Sequence, residues 1–392
     1  MSKVKSYFFE SMGIIGWDYV EPLIVSALLA NKAVMLEGGK GTGKTLISKV
    51  VSKSFLGGKN KFRYFNCPIA SQDELLGFPD LKAMQEGKIE FIETPTSVWG
   101  GNSVLMDEIN RAGIGMQGKF MELALSGTVM GMETGIQFRW AAVNPPDKYL
   151  TTPMDMALLS RFSVVTVPEL SDIVADNPEA AFELFSARVK PYDFRKEWKS
   201  MADTKLEPEI VKLVDTLGGE IVKSFAKDTN RVDFSGRQAT DLKRLFISFY
   251  KYYSYTNSDW EREYISFYMS KLVMSVIPET TNLVNGSLMT DYDTVYTLIF
   301  ETIKETFKNI QALGAKTRLL KELKKDKLTP KGMETLLDSI TPDAWDQIKE
   351  SMPKNKSWNN LNNYMKSMAL LGNTPLSDID SILIQLGETL AQ

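Results

Sequence analysis

The chain has 392 residues, of which 43% are hydrophobic, and it carries a formal net charge of −3 with one cysteine and no histidine. The length predicts two or three domains, and the charge gives no whole-chain signature of nucleic-acid binding. The lone Cys67 excludes an internal disulfide, and the lack of histidine removes the usual zinc ligand and the usual neutral-pH base. No apolar run is long enough for a membrane helix and the N-terminus does not resemble a secretion signal, so we expect a cytoplasmic protein without a membrane partner.

A phosphate-binding loop is predicted at residues 38–45, which read Gly-Gly-Lys-Gly-Thr-Gly-Lys-Thr. The run fits the pattern G-x-x-x-x-G-K-[ST], with an apolar strand at 33–36 before it and a helix-forming segment after it. Glycines let backbone N–H groups turn toward phosphates, and the helix N-terminus adds a favourable dipole. We therefore predict that a nucleoside triphosphate, ATP, contacts Gly38, Gly39, Lys40, Gly41, Thr42, Gly43, Lys44, Thr45 and Leu46.

Four side chains are candidates for metal binding and hydrolysis. Lys44 is expected to neutralise the β and γ phosphates, and Thr45 to hold Mg²⁺ through its hydroxyl. The apolar strand 103–106 ends in two acids, Asp107 and Glu108. At the carboxyl edge of a parallel sheet, Asp107 can reach that Mg²⁺, and Glu108 can orient the attacking water or accept its proton. An Asp-Glu pair is also typical of helix starts, and the preceding P-loop is what favours catalysis.

A carboxamide follows the next apolar strand, at residues 137–143. Asn144 is expected at the end of that strand, where it can hydrogen-bond the γ-phosphate or the attacking water without adding charge. The alternative is a turn residue, because Asn followed by two prolines favours an extended or turning backbone.

Two arginines complete the set of candidate catalytic residues. Arg161 precedes the apolar run 164–167; it either favours a helix C-terminus as a cation or projects into a neighbouring subunit's site, where its guanidinium stabilises the transferred phosphoryl group. Arg237 lies inside Ser235-x-x-Gln238, a capping box that starts an amphipathic helix. A cation in a first helical turn opposes the helix dipole unless an anion is near, and a nucleotide phosphate is such an anion; the alternative is a solvated surface arginine.

With these segments in this order, the chain resembles the AAA+ ATPases, most closely the MoxR-like branch of the clade with an insert in the second core helix. The similarity extends to residues 36–38, to the Met-Asp-Glu-Ile-Asn-Arg-Ala run at 106–112, to a small inserted hairpin at 87–95 and to a second hairpin that begins at 125–131. The P-loop departs from the family at Gly39-Lys40, where relatives generally have two prolines.

The resemblance implies an α/β fold: an AAA+ αβα P-loop core with a parallel five-stranded sheet (1–170), an all-helical lid (171–255) and a helical C-terminal extension (256–392). It implies that Asn144 is the sensor 1 residue, Arg161 the arginine finger and Arg237 the sensor 2 residue. It also implies a homo-oligomeric ring, usually a hexamer. Only Arg237 is expected to reach the chain's own γ-phosphate, so Arg161 is expected to act in trans.

The same resemblance implies a chaperone-like function, the remodelling or activation of a protein client, and relatives often act on partners with von Willebrand factor A domains. The rival hypotheses are a nucleic-acid motor or restriction-type GTPase ring, and a nucleotide-gated scaffold with little turnover. The aromatic run 249–255 is expected to pack helices rather than stack on bases, and the basic run 316–327 to be a solvated helix face.

Overall fold

We analysed the protein as a computed structural model. It describes residues 7–57, 61–146, 154–180, 188–227, 232, 234–256, 261–281, 283 and 291–323. The chain divides into two compact units, residues 1–303 and 304–392. Within the second unit, residues 304–323 are helical. The first unit contains the predicted site.

A five-stranded parallel sheet is the centre of the first unit. Its strands are β1 (Ala33–Glu37), β2 (Phe62–Asn66), β5 (Ser103–Asp107), β8 (Phe138–Val143) and β9 (Phe162–Thr166). They lie in the order β2-β5-β8-β1-β9, with β2 and β9 at the edges. Every residue of β1 and β8 is buried, as is typical of parallel strands that are covered on both faces. All five carboxyl ends therefore point to one edge of the sheet.

Helices cover this sheet, and short segments connect it. The core helices are α1 (Glu21–Leu29), α2 (Lys44–Leu56), α3 (Gln72–Leu76), α4 (Leu81–Gln85), α5 (Ile114–Ser126), α6 (Met156–Leu159) and α7 (Leu170–Asp176). Helix α2 buries Ile47, Val50, Val51 and Phe55, one helical face, against the sheet. The helix ends at Leu56. The N–H of Gly57, whose φ is +92°, donates to the Lys53 carbonyl and closes the last turn.

Two small antiparallel pairs project from the core. Strand β3 (Phe78–Pro79) pairs with β4 (Phe91–Ile92), and α4 lies between them, so the insert predicted as a hairpin at 87–95 is a strand–helix–strand unit. Asp80 caps α4 by accepting the N–H groups of Lys82 and Ala83. The second pair, β6 (Thr128–Val129) with β7 (Met132–Glu133), is the hairpin predicted to begin near 125–131.

In the described part of the chain, five further α-helices follow α7: α8 (Arg195–Asp203), α9 (Pro208–Lys227), α10 (Gly236–Thr256), α11 (Arg262–Met274) and α12 (Tyr292–Leu323). The predicted capping box of α10 is confirmed, because Gln238 N–H donates to Ser235 Oγ at 3.3 Å and Gln238 Oε1 accepts the Ser235 N–H at 2.7 Å. The basic run 316–327 is helical as far as Leu323, and its side chains lie outside the described residues.

Helix α10 lies along α1 and is tied to it by a buried carboxylate. Glu21, fully buried at the start of α1, accepts the N–H groups of Phe8 and Phe9 and the hydroxyl of Tyr252 at 2.7 Å. Phe249 and Tyr252 are buried, so the prediction that the aromatic run packs helices is confirmed for these rings.

The α/β fold predicted from the sequence, with a parallel five-stranded sheet and helical segments after it, is confirmed. Among the described helices, none is both long enough and apolar enough to cross a bilayer. The domain boundaries at 170 and 255 remain a prediction.

Candidate nucleotide-binding site

The predicted P-loop connects β1 to α2 at the carboxyl edge of the sheet. Gly41 and Gly43 have φ of +85° and +89°, a left-handed backbone that side chains with a Cβ rarely adopt. A Cβ at Gly38 would lie 2.5 Å from Cγ2 of Val167, so that position has no room for a larger residue. The Gly38 N–H donates to the Val143 carbonyl at 3.2 Å, which fixes the loop to β8. The loop is therefore turned by glycines and delivered onto a helix N-terminus.

Lys44 lies inside this loop. Its Nζ donates to the carbonyls of Gly38 and Gly39, each at 2.7 Å, and lies 3.3 Å from Oδ1 of Asn144. Burial lowers the pKa of Lys44, and the charges of Asp107 and Glu108 oppose that shift. A largely buried cation with its donors directed into the loop is suited to polyphosphate binding.

The side chains of Asp107 and Thr45 lie close enough together to bind the same metal ion. The Thr45 hydroxyl donates to Oδ2 of Asp107 at 3.4 Å, and the Glu108 N–H donates to Oδ1 at 3.1 Å. The sequence did not identify a third partner, Tyr64 on β2, whose hydroxyl donates to Oδ2 at 2.9 Å. Burial and Asp107 raise the pKa of Tyr64 to about 12, so its hydroxyl is protonated at neutral pH.

This pair of donors fits Mg²⁺. Thr45 and Asp107 offer hydroxyl and carboxylate oxygens, the hard ligands that Mg²⁺ prefers, and Mg²⁺ commonly takes one or two such protein ligands together with phosphate oxygens and water. In the part of the chain that the structure describes, no group of three or more His, Cys, Asp or Glu side chains forms a metal cage. Thr45 and Asp107 therefore suit a Mg²⁺ ion that nucleotide phosphates also bind.

Glu108 follows Asp107 with an unusual backbone. Its φ is +53°, in the left-handed region where a non-glycine residue is uncommon and which is often found at functional sites. One carboxylate oxygen, Oε1, accepts Asn144 Nδ2 at 3.3 Å, and the other lies 3.1 Å from Arg111. Asn144 stands at the end of β8 and is 8% exposed. The structure thus brings together Lys44, Thr45, Asp107, Glu108 and Asn144, as expected for residues after parallel strands.

The two candidate arginines lie elsewhere. Arg161 follows α6 and donates to the carbonyl of Ala157 and to Ser160 Oγ, so it contacts the C-terminal end of its own helix. Burial lowers the pKa of both Arg161 and Lys32, and the positive charge of Arg237, exposed in the first turn of α10, lowers both further. We call Lys32, Arg161 and Arg237 the basic cluster.

The basic cluster lies at the amino edge of the sheet. Lys32 directly precedes β1 and Arg161 directly precedes β9, whereas the P-loop follows β1. The five residues of β1, at about 3.3 Å each, place these two edges about 16 Å apart. Arg237 lies farther from the P-loop still, because α10 runs beside α1 with Asp241 near Lys32 and Tyr252 at the start of α1. The expectation that Arg237 reaches the chain's own γ-phosphate is therefore not met in this structure.

Known proteins are similar to this chain over part of its sequence, and one solved structure shares its fold. No family model matches the chain. The uncharacterized protein YojN of Bacillus subtilis (strain 168) is 28% identical over 179 residues, which cover 41% of this chain and 57% of YojN. The uncharacterized protein SSP1341 of Staphylococcus saprophyticus is 28% identical over 167 residues, 38% of this chain and 61% of that protein. The chain thus spans less than two thirds of the length of these curated relatives.

A crystal structure of a candidate ATPase from Cytophaga hutchinsonii ATCC 33406 is also similar. It is 16% identical, with a TM-score of 0.50 over 76% of this chain and 91% of the other. The five-stranded parallel sheet, the P-loop and the acids at the end of β5 are features of a P-loop nucleotide-binding fold. The chain has the fold of an AAA+ ATPase.

Proposed function

We propose that this protein hydrolyses ATP in a Mg²⁺-dependent reaction at the P-loop. One observation carries the proposal: a continuous chain of hydrogen bonds at the carboxyl edge of the sheet links Lys44, Asn144, Glu108, Asp107 and Thr45. This set contains a phosphate-binding cation, two oxygen ligands for Mg²⁺ and a carboxylate beside a neutral amide. These are the groups that phosphoryl transfer to water requires.

Each residue then has a distinct function. The P-loop N–H groups and Lys44 bind the β and γ phosphates. Thr45 and Asp107 would hold Mg²⁺, which would supply positive charge to the reacting phosphates. Glu108 orients the attacking water and accepts its proton, while Asn144 holds the Glu108 carboxylate and donates without adding charge. The chain has no histidine, so a carboxylate is the appropriate base.

We also infer that a second copy of the chain completes the site. The basic cluster lies about 16 Å from its own P-loop, at the opposite edge of the sheet. When the carboxyl edge of one copy meets the amino edge of the next, the contact is head-to-tail, and such contacts close into rings. Arg161 and Arg237 then reach the γ-phosphate of the neighbour. We propose a homo-oligomeric ring, a hexamer by the resemblance to the MoxR-like branch.

The proposed ring acts on a protein client, as a MoxR-like chaperone, and a von Willebrand factor A domain protein is the first client to test. The insert between β2 and β5 exposes apolar side chains suited to protein contact: Ile69, Phe78, Leu81, Met84, Ile89 and Ile92. The acidic balance of the chain and its single buried cysteine agree with a cytoplasmic location and give no support to a nucleic-acid motor.

The test is a trap of the loaded complex. Glu108→Gln protein should bind ATP with nearly wild-type affinity and hydrolyse it at least 100-fold more slowly, because a general base typically contributes that factor or more. Lys44→Ala protein is the control, since it should fail to bind. Tagged Glu108→Gln protein, incubated with ATP and Mg²⁺, should retain its client during affinity purification. Recovery of DNA or RNA instead, with turnover stimulated by nucleic acid, would favour the motor, and preference for GTP would favour the restriction-type ring.

A further inference from the structure

Lys32 joins two segments that carry the candidate arginines. Its ammonium donates to the Ser160 carbonyl at 3.0 Å, directly before Arg161, and forms an ion pair with Asp241. Asp241 lies on α10 one helical turn after Arg237. The side chains of Lys32 and Asp241 are only 7% and 14% exposed. One buried ammonium therefore links the residue before Arg161 to the helix that carries Arg237.

The surroundings fix the position of this ammonium. Arg139 on β8 donates to the backbone carbonyl of Asn31 and, at 2.7 Å, to its Oδ1, which holds the turn before Lys32 against the sheet. Asn31 has φ +54°, a left-handed turn residue that directs the chain into β1. The far end of α10 is held by the bond between Tyr252 and Glu21. With α10 held near both ends, the backbone at Arg237 is fixed relative to the ion pair.

Several charged side chains act on the ion pair between Lys32 and Asp241. Burial lowers the pKa of Lys32, the charges of Arg237 and Arg139 lower it further, and Asp241 opposes the shift. The ammonium of Lys32 has three N–H donors. One donates to the Asp241 carboxylate and another to the Ser160 carbonyl. Burial and, after it, the positive charge of Arg237 lower the pKa of Arg161, so two like charges act on one region, and an incoming anion would stabilise them.

We propose that Lys32, through Asp241, is a positioning residue that holds Arg161 and Arg237 in one fixed spacing for presentation to the γ-phosphate bound by the neighbouring copy. This inference rests on the proposed function. Lys32 thus acts on the site of the neighbouring copy and not on the P-loop of its own chain.

Mixed assemblies test the inference. A Lys44→Ala chain cannot bind nucleotide but supplies its arginines, and an Arg161→Ala chain supplies an intact P-loop; mixed, they should recover ATPase activity that neither has alone. The pair change Lys32→Met with Asp241→Leu removes both buried charges together, so neither is left unpaired. Placed in the Lys44→Ala chain, it should lower the recovered kcat at least 10-fold, because small misplacements of catalytic groups are costly. Placed in the Arg161→Ala chain, it should have little effect.

Two measurements separate positioning from folding. The pair variant should bind a fluorescent ATP analogue with an affinity within about 2-fold of the unchanged protein, and it should still unfold cooperatively on heating. If the pair variant fails to fold, Asp241→Asn is used in its place. Equal loss of activity from both placements, or no loss from either, would overturn the function of Lys32 while the two-chain site stands. If the parent mixture of Lys44→Ala and Arg161→Ala chains recovers no activity, the two-chain site itself fails and the Lys32 inference fails with it.

Discussion

Asn144 donates a 3.3 Å hydrogen bond from Nδ2 to Oε1 of Glu108. The other end of the same amide, Oδ1, lies 3.3 Å from the ammonium of Lys44. Only one orientation of the amide satisfies both neighbours, because its oxygen accepts and its nitrogen donates. Asn144 therefore connects the phosphate-binding cation to the candidate base and sets the direction of the Glu108 carboxylate.

This connection predicts the effect of Asn144→Asp. An aspartate of the same shape loses the donor to Glu108 and places a second negative charge beside it, so the carboxylate loses its orientation and hydrolysis falls. We expect kcat to drop 10- to 100-fold and ATP affinity to fall as well, because the new carboxylate competes with the phosphates for Lys44. Steady-state kinetics and a binding titration measure the two quantities separately. An Asn144→Asp protein with wild-type kcat would mean that Asn144 only shapes a turn.

The hydroxyl of Tyr64 predicts a change in metal dependence. It donates to the same oxygen of Asp107 as Thr45 does, so it orients a proposed Mg²⁺ ligand from outside the metal's own shell. Loss of such a partner typically weakens metal binding 10- to 100-fold. We expect Tyr64→Phe to need about 10-fold more Mg²⁺ for half-maximal nucleotide binding, with binding in excess EDTA unchanged. Identical Mg²⁺ titrations for the two proteins would show that the hydroxyl is only a surface contact.

Most of the site at the carboxyl edge of the sheet could be predicted from sequence, because its information is local. The P-loop pattern specifies its own backbone, and an apolar strand that ends in Asp107-Glu108 must deliver both acids to the sheet edge. The capping box at Ser235 and Gln238 is equally local, since three residues separate the partners.

The place of Arg237 could not be predicted in the same way. The position of α10 depends on contacts between residues far apart in the chain, such as Lys32 with Asp241 at a separation of 209 and Glu21 with Tyr252 at 231. No periodicity within α10 encodes those partners. The contact between Tyr64 and Asp107 was missed for a related reason: β2 alternates buried and exposed residues, and that pattern says nothing of where an exposed hydroxyl points.

The rate at which a thiol reagent labels Cys67 measures how often the edge of the sheet opens. Cys67 follows β2, its N–H donates to the Asp107 carbonyl at 2.9 Å, and its side chain is 1% exposed. Burial, and next the charge of Asp107, raises the pKa of the thiol, so little thiolate exists at pH 8 in the folded protein. We expect a thiol reagent to label the native protein at least 100-fold more slowly than the protein in urea. Rapid labelling under native conditions would show that the β2–β5 edge opens easily.

We expect the buried carboxylate of Glu21 to stabilise the contact between α1 and α10. Tyr252 donates to it at 2.7 Å and is buried, so Tyr252→Phe removes a donor from a charged group and leaves no room for water to replace it. We expect the free energy of unfolding to fall by about 1.5–3 kcal/mol, the range for a hydrogen bond to a charged partner. Tyr250→Phe is the matched control, because the Tyr250 hydroxyl has only a 4.0 Å contact with the sulfur of Met269. Urea unfolding measures both variants. Since Tyr252 lies on the helix that carries Arg237, equal stabilities for the two variants would mean that Glu21 does not anchor α10.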